Sequence, residues 1–249
     1  MSESLDLAFA LDPATWALAL GFEPDLWQAG VLRSGAGRVL LNCSRQSGKS
    51  TTTALLALHT ALYRPGTLAL LLSPSLRQSG ELFRKVTSFY HRLAEPVPLV
   101  AESVLRLELA NGARVVSLPG TEQTVRGFSG VDLLVIDEAS RVADDLYYTV
   151  RPMLAVSGGR LVALSTPFGT RGWWWLEWDR GGDEWERVQV TAEDCPRISA
   201  AFLEEERRHL GDWWYQQEYM CKFLDSQSAA FTWDMLQGAT TEAVDLWNL

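Results

Sequence analysis

The sequence predicts an α/β domain: a mostly parallel sheet with helices on both faces, followed by a small helical lid. Three observations carry this. Apolar runs at Val39-Leu40-Leu41, Thr67 to Leu72, Leu133 to Ile136 and Leu161 to Leu164 are continuous rather than alternating, as in strands covered on both faces. Stretches with helical spacing lie between them, as parallel crossovers require. Polar or acidic residues stand where the runs end, at the sheet edge where open α/β folds hold ligands.

The length of 249 residues suits one domain with an appendage. No run of about 18 apolar residues occurs, so no transmembrane helix is expected. The first residues carry acids and no basic segment, unlike a signal peptide. Three cysteines (Cys43, Cys195, Cys221) lack metal-ligand spacing and fit a reducing compartment. The net charge of −9 argues against a large static nucleic-acid footprint, so any such contact is local or shared among subunits.

In chain order, residues 5 to 20 read as helix, restarted at Asp12-Pro13 and broken at Phe22-Glu23-Pro24. Trp27-Gln28 follows. An amide beside an aromatic suits an adenine edge, and it equally suits a packed Trp with a solvated Gln. Arg38 to Leu62 reads as strand, tight loop and helix. The loop Cys43-Ser44-Arg45-Gln46-Ser47-Gly48-Lys49-Ser50 approaches the P-loop pattern G-x-x-x-x-G-K-[ST], with Cys43 in place of the first Gly. A polyphosphate needs inward backbone N–H groups and a helix start, a lysine for its terminal phosphates, and a hydroxyl on Mg²⁺. Ser44 to Thr51 offers all of these, with Lys49 as the lysine and Ser50 as the metal ligand.

A helix is expected from Leu76 to Leu93, its polar face holding Arg77, Gln78, Arg84, Lys85 and Arg92, read as mostly solvated. Val104 to Leu109, Asn111-Gly112 and Ala113 to Leu118 read as an antiparallel hairpin appended to the sheet. After a Gly-bearing loop with Arg126-Gly127, the run Leu133 to Ile136 ends in Asp137-Glu138. This is a Walker B pattern, with Asp137 as a metal ligand and Glu138 as the base for an attacking water. A helix follows from Asp144 to Leu154. The next strand ends in Ser165-Thr166-Pro167, either a γ-phosphate sensor or a simple turn. Trp173-Trp174-Trp175 is expected to leave at least one indole half-exposed. A strand over Trp185 to Val190 and helices over Ile198 to Leu210 and Trp213 to Phe223, parted by Gly211, complete the chain.

Taken together, Trp27-Gln28, Ser44 to Ser50, Arg126-Gly127, Asp137-Glu138-Ala139, Leu164 to Pro167 and Gln217-Glu218-Tyr219-x-Cys221-x-Phe223 resemble the ATPase domain of the large terminase subunit of tailed bacteriophages. The resemblance runs from about Phe22 to Phe231. That family tolerates Cys at the first loop position and often has Arg where Arg45 stands. The resemblance implies a RecA-like P-loop fold, ATP with Mg²⁺, and an ATPase that drives double-stranded DNA into a capsid. It implies adenine recognition by Gln28, a γ-phosphate arginine at Arg45 and coupling through Ser165 and Thr166. It also implies an arginine reaching a neighbour's ATP, Arg126 first and Arg141 second. The implied partners are the portal protein, the small terminase subunit and further copies in a ring, with five subunits expected on the capsid and a monomer in isolation. No membrane is implied, and the setting is the cytoplasm of an infected bacterial host, docked on the procapsid. The expected division is 1–194 as ATPase core with an N-terminal adenine-binding segment and 195–249 as lid and truncated linker. The family's nuclease domain is expected to be absent. A helicase or another P-loop DNA translocase is the alternative.

Overall fold

The computed structural model of the chain describes residues 3–125 and 127–225. Two short helices, α1 (Glu3–Leu11) and α2 (Pro13–Ala19), meet at Asp12, whose carboxylate accepts from the N–H groups of Ala14 and Thr15. Helix α3 (Leu26–Arg33) leads into strand β1 (Arg38–Cys43) and helix α4 (Lys49–Tyr63). Then come β2 (Leu68–Ser73), α5 (Leu76–Tyr90), β3 (Leu99–Glu102), β4 (Arg106–Leu109), β5 (Arg114–Pro119) and α6 (Glu122–Val125). The remaining elements are β6 (Leu133–Asp137), α7 (Asp144–Val150), β7 (Arg160–Ser165), α8 (Gly172–Asp179), β8 (Trp185–Val190) and α9 (Ala200–Glu218).

The strands form one sheet in the order β3-β4-β5-β2-β6-β7-β1-β8. Along the sheet from β5 to β8 every pair is parallel, and only the β3–β4 and β4–β5 pairs are antiparallel. Alternate residues of the central strands feed two cores, one on each face. Val39, Leu41, Ala69 and Leu71 pack with α2, α4 and α5; Leu40, Leu70, Leu72 and Leu134 pack with α7 and α8. Burial on both faces explains the unbroken apolar runs.

The structure refines the expected elements. The hairpin is not an appendage: β5 pairs in parallel with β2 and belongs to the main sheet. Strand β3, largely exposed, adds an edge that its sequence did not announce. Helix α5 stops at Tyr90 rather than Leu93. Helix α7 gives way to a tighter turn at Arg151–Leu154, because Pro152 cannot continue an α-helix. Gly211, at φ 76° and ψ 162°, breaks α9 into two arms at the expected place.

The tryptophan run corrects its expectation, since Trp173, Trp174 and Trp175 are all buried. Trp173 stacks on Tyr147 with ring centroids 3.9 Å apart and donates Nε1–H to the Val142 carbonyl at 3.0 Å. Trp174 meets Trp173 edge-on, and Arg180 lies over Trp175. Three indoles find cover because α8 is packed on more than one side, by the sheet face and α7 and by flanking chain that includes Phe223 against Trp178. Among the described residues no helix is long and apolar enough to cross a membrane.

Candidate active site

The strand order decides where the chemistry sits. Strand β7 lies between β1, which ends in the phosphate loop, and β6, which ends in Asp137. With about 4.8 Å between strands, the ends of β1 and β6 stand roughly 10 Å apart at the carboxyl edge of the sheet, a gap that the start of α4 spans to reach Asp137. A cleft of about 1040 Å³ opens there, lined by Arg45 to Thr51, Glu138 and Thr166.

The loop between β1 and α4 is held on its outer side. Ser44 N–H donates to Val190 O at 2.8 Å and Arg45 N–H to Glu218 O at 3.3 Å. Gln46 and Gly48 adopt positive φ, 61° and 91°, which curls the loop around the start of α4. Lys49 is buried, and its Nζ donates to Ser44 O at 3.3 Å across the loop. A curled loop with free N–H groups and a helix N-terminus is an anion cradle. Cys43, where the pattern expects Gly, is the last residue of β1 and fully buried. Burial raises its thiol pKa, so it stands as a neutral packing group.

Across the cleft, Ser50 Oγ–H faces both Asp137 oxygens at 3.1 and 3.3 Å. Two oxygens bound to Mg²⁺ at about 2.1 Å on adjacent octahedral corners lie about 3 Å apart, so this hydroxyl–carboxylate pair fits that ion. Among the described residues no cage of three or more His, Cys, Asp or Glu forms. Burial and the neighbouring Glu138 carboxylate push the Asp137 pKa up to about 6, against the opposing pull of Lys49 and Ser50. Glu138 stands at φ 51° and ψ 45°, a left-handed conformation that is costly for a non-glycine residue and turns the chain sharply at the strand end.

Ser165, at the end of β7, donates its hydroxyl to Ser140 Oγ at 2.7 Å. The strand between loop and acids is thereby tied to the turn that carries Glu138. Thr166 lines the cleft. Arg141 also reaches it, with its guanidinium 3.3 Å from the centre of the Phe168 ring. Arg45 is clasped by Glu218 at 2.6 Å, a contact between the phosphate loop and the end of α9. Arg126 lies outside the described residues.

Gln28 departs from its expected place. It is fully buried and absent from the cleft wall. Its Oε1 accepts from Asp25 N–H at 2.8 Å, closing a capping box at the start of α3, and its Nε2 donates to Ser47 O at 3.4 Å. Both edges of the amide are spent on the protein, so in this arrangement Gln28 braces the phosphate loop from below and presents no edge to a base. Sequence reasoning missed Arg197, which forks onto Asp25 with two bonds of 2.7 Å and donates to Ser47 O at 3.0 Å. It missed Ile198 and Phe202, which supply apolar lining beside Tyr219 of the C-terminal motif. No motif flags them, because the C-terminal segment brings them to the loop only through tertiary packing.

The parallel order, the curled loop and the acid pair beyond an intervening strand define a RecA-like P-loop protein. The chain belongs to a narrower group: residues 40–237 match the family model of the terminase large subunit, T4-like-virus type, N-terminal, which places the chain in that family. It is 28% identical over 250 residues to the large terminase subunit of Thermus virus P23-45 and 26% identical to that of Thermus phage G20c, covering 86% of this chain in each case. The chain spans about half the length of these curated relatives. Its fold matches the large terminase ATPase domain of Thermus phage P74-26 with a TM-score of 0.75 at 23% identity, covering 84% of this chain and 98% of that one.

Proposed function

We propose that this cleft hydrolyses ATP and that the hydrolysis drives double-stranded DNA into a viral capsid. One observation carries the reading: Lys49 and its loop face the Ser50–Asp137 pair and Glu138 across a strand whose end is hydrogen-bonded to the Glu138 turn. Large terminase structures from phage D6E with ADP and with ATP-γ-S share the fold, at TM-scores of 0.64 and 0.62, which supports a nucleotide in the corresponding cleft.

In this reading the loop N–H groups and Lys49 hold the β- and γ-phosphates, and Ser50 and Asp137 are the residues that would hold Mg²⁺. An ion held there would supply positive charge against the transferring phosphoryl group. Glu138 accepts a hydrogen bond from the attacking water and aims it at the γ-phosphorus. Arg45 leaves Glu218 for the γ-phosphate. Ser165 passes the loss of that phosphate to the Glu138 turn through Ser140. Ile198 and the half-exposed Phe202 offer apolar surface to the base. Residues from 195 onward act as a lid on a core formed by 1–194.

Arg126, with Arg141 second, is the arginine that reaches a neighbour's ATP, an effect worth about 10³–10⁵ in rate. The working form is a ring, five copies on the portal, assisted by the small terminase subunit and docked on the procapsid in the host cytoplasm. A ring accommodates the net charge of −9, since each copy need offer only one or two arginines to the DNA.

The test is ATP turnover per subunit against protein concentration. The rate should rise with concentration, Arg126→Ala should abolish the rise while binding ATP normally, and mixing with Glu138→Gln should restore part of it. A rate that ignores both concentration and Arg126 sinks the trans arginine. Normal turnover by Glu138→Gln sinks the active-site assignment.

A further inference from the structure

Among the described residues five cations line the cleft: Arg45, Lys49, Lys85, Arg141 and Arg197. Four are engaged. Arg45 is paired with Glu218 and Arg197 with Asp25. Lys49 donates to Ser44 O, and Arg141 stacks on Phe168. Lys85 alone of the five has no hydrogen bond, ion pair or ring partner among the described residues, although it is half-buried. A lysine that loses water and gains no acceptor is held at a cost, and an anion in the cleft would offset it.

Its place in the fold says which part of an anion it meets. Helix α5 packs against α4, the helix that begins at Lys49. Lys85 follows Gln78 by seven residues, two turns along one face of α5, and both side chains line the cleft. Gln78 is oriented by Ser75, whose hydroxyl donates to its Oε1 at 2.8 Å, leaving the amide N–H₂ as a donor. Strand β2, which feeds α5, borders β6, so this face approaches the cleft from the carboxylate side rather than from the loop side. Desolvation pushes the Lys85 pKa down, and the charges of Asp137, Lys49 and Glu81, the last one turn back on α5, also act on it. In the nucleotide reading of the cleft the γ-phosphate lies beyond the β-phosphate that the loop holds, toward Asp137 and Glu138, and a diphosphate leaves that place empty.

We propose that Lys85 is a second phosphate-binding lysine, contacting the γ-phosphate from α5 and setting the preference of the cleft for nucleoside triphosphate over diphosphate. The inference rests on the nucleotide reading of the cleft. Lys49 serves both nucleotides from the loop, whereas Lys85 gains its acceptor only when the third phosphate is present. Coming from β2 and α5, it also makes the position of that helix depend on the nucleotide.

The experiment is calorimetric binding of ATP-γ-S and of ADP, each with Mg²⁺, to the parent chain, Lys85→Met, Lys85→Arg and Lys49→Ala. Methionine keeps the apolar stem and removes the charge; Lys85→Gln replaces it should the methionine variant fold poorly. Loss of one charge-assisted contact predicts ATP-γ-S binding about 10- to 100-fold weaker in Lys85→Met. ADP affinity should stay within about twofold, and Lys85→Arg should recover part of the difference. Lys49→Ala should weaken both nucleotides. An unchanged ATP-γ-S to ADP ratio in Lys85→Met, beside a parent that binds both, overturns the role of Lys85 and leaves the active site standing. A parent chain that binds neither nucleotide overturns the site reading and this inference with it.

Discussion

Gly48→Ala is the substitution whose effect can be worked most directly from the geometry. Gly48 sits at φ 91° and ψ 10°. An L-residue held in the left-handed region costs roughly 1–2 kcal/mol. A methyl group built there would come within 2.6 Å of Gln28 Nε2. That atom cannot swing away, because Gln28 is fully buried and its amide is tied to Asp25 and Ser47. Overpacking of this kind costs about 1–3 kcal/mol. Together the two effects amount to about 2–5 kcal/mol, a large share of the 5–15 kcal/mol usual for a domain. The two parts separate in a double-mutant cycle. Gln28→Ala by itself loses the capping-box bond, worth about 1 kcal/mol, and clears the space beside Gly48. In that background Gly48→Ala should cost only the backbone part, so the double variant should be about 1–3 kcal/mol more stable than the sum of the singles. Urea unfolding of the four proteins, followed by far-ultraviolet circular dichroism, measures this. Equal costs of Gly48→Ala in both backgrounds would refute the idea that Gln28 is the brace beneath the loop.

Three further outcomes are expected. Trp173→Ala removes the stack on Tyr147 and the bond to Val142 O and should cost about 3–5 kcal/mol in thermal or urea unfolding, while Leu176→Ala on the exposed side of the same helix should cost under about 0.5 kcal/mol. His59 is buried between Trp16 and Tyr63 and bonded to Phe9 O, and its pKa is lowered mainly by desolvation. The unfolded chain therefore takes up a proton near pH 6.5 before the native one does, so stability is complete above that pH and falls as pH drops toward the native pKa, by at most about 1.4 kcal/mol per unit; His59→Phe should flatten the urea-midpoint profile between pH 5 and 7. Glu218→Gln weakens the clasp on Arg45, so ATP-γ-S should bind about 2- to 5-fold tighter if that arginine is needed at the γ-phosphate; weaker binding would show instead that the clasp builds the site.

How much of this was legible in advance differs by element. Strands β1, β2, β6 and β7 announced themselves because burial on both faces demands unbroken apolar runs. Strand β3 did not, since a mostly exposed four-residue edge strand needs no apolar pattern. The tryptophan run misleads because three successive indoles cannot all face one core, whereas α8 is covered on several sides. Gln28 was noticed for its chemistry, but its partners are a cap within its own helix and a loop 19 residues away. Lys85 read as part of a solvated face, and only the packing of α5 on α4 carries that face to the cleft.

The sequence by itself determined the fold class and the local anion cradle. Both depend on short-range patterns: apolar runs, a glycine able to take positive φ, and a lysine and a hydroxyl at a helix start. The order of the strands was decided only in the tertiary structure. That order places β7 between the loop and Asp137, presses the end of α9 onto Arg45 and turns α5 toward the carboxylates. These contacts join residues far apart in the chain, such as Arg45 with Glu218 and Arg197 with Asp25. Their energies come from burial and charge pairing that exist only once the sheet has formed.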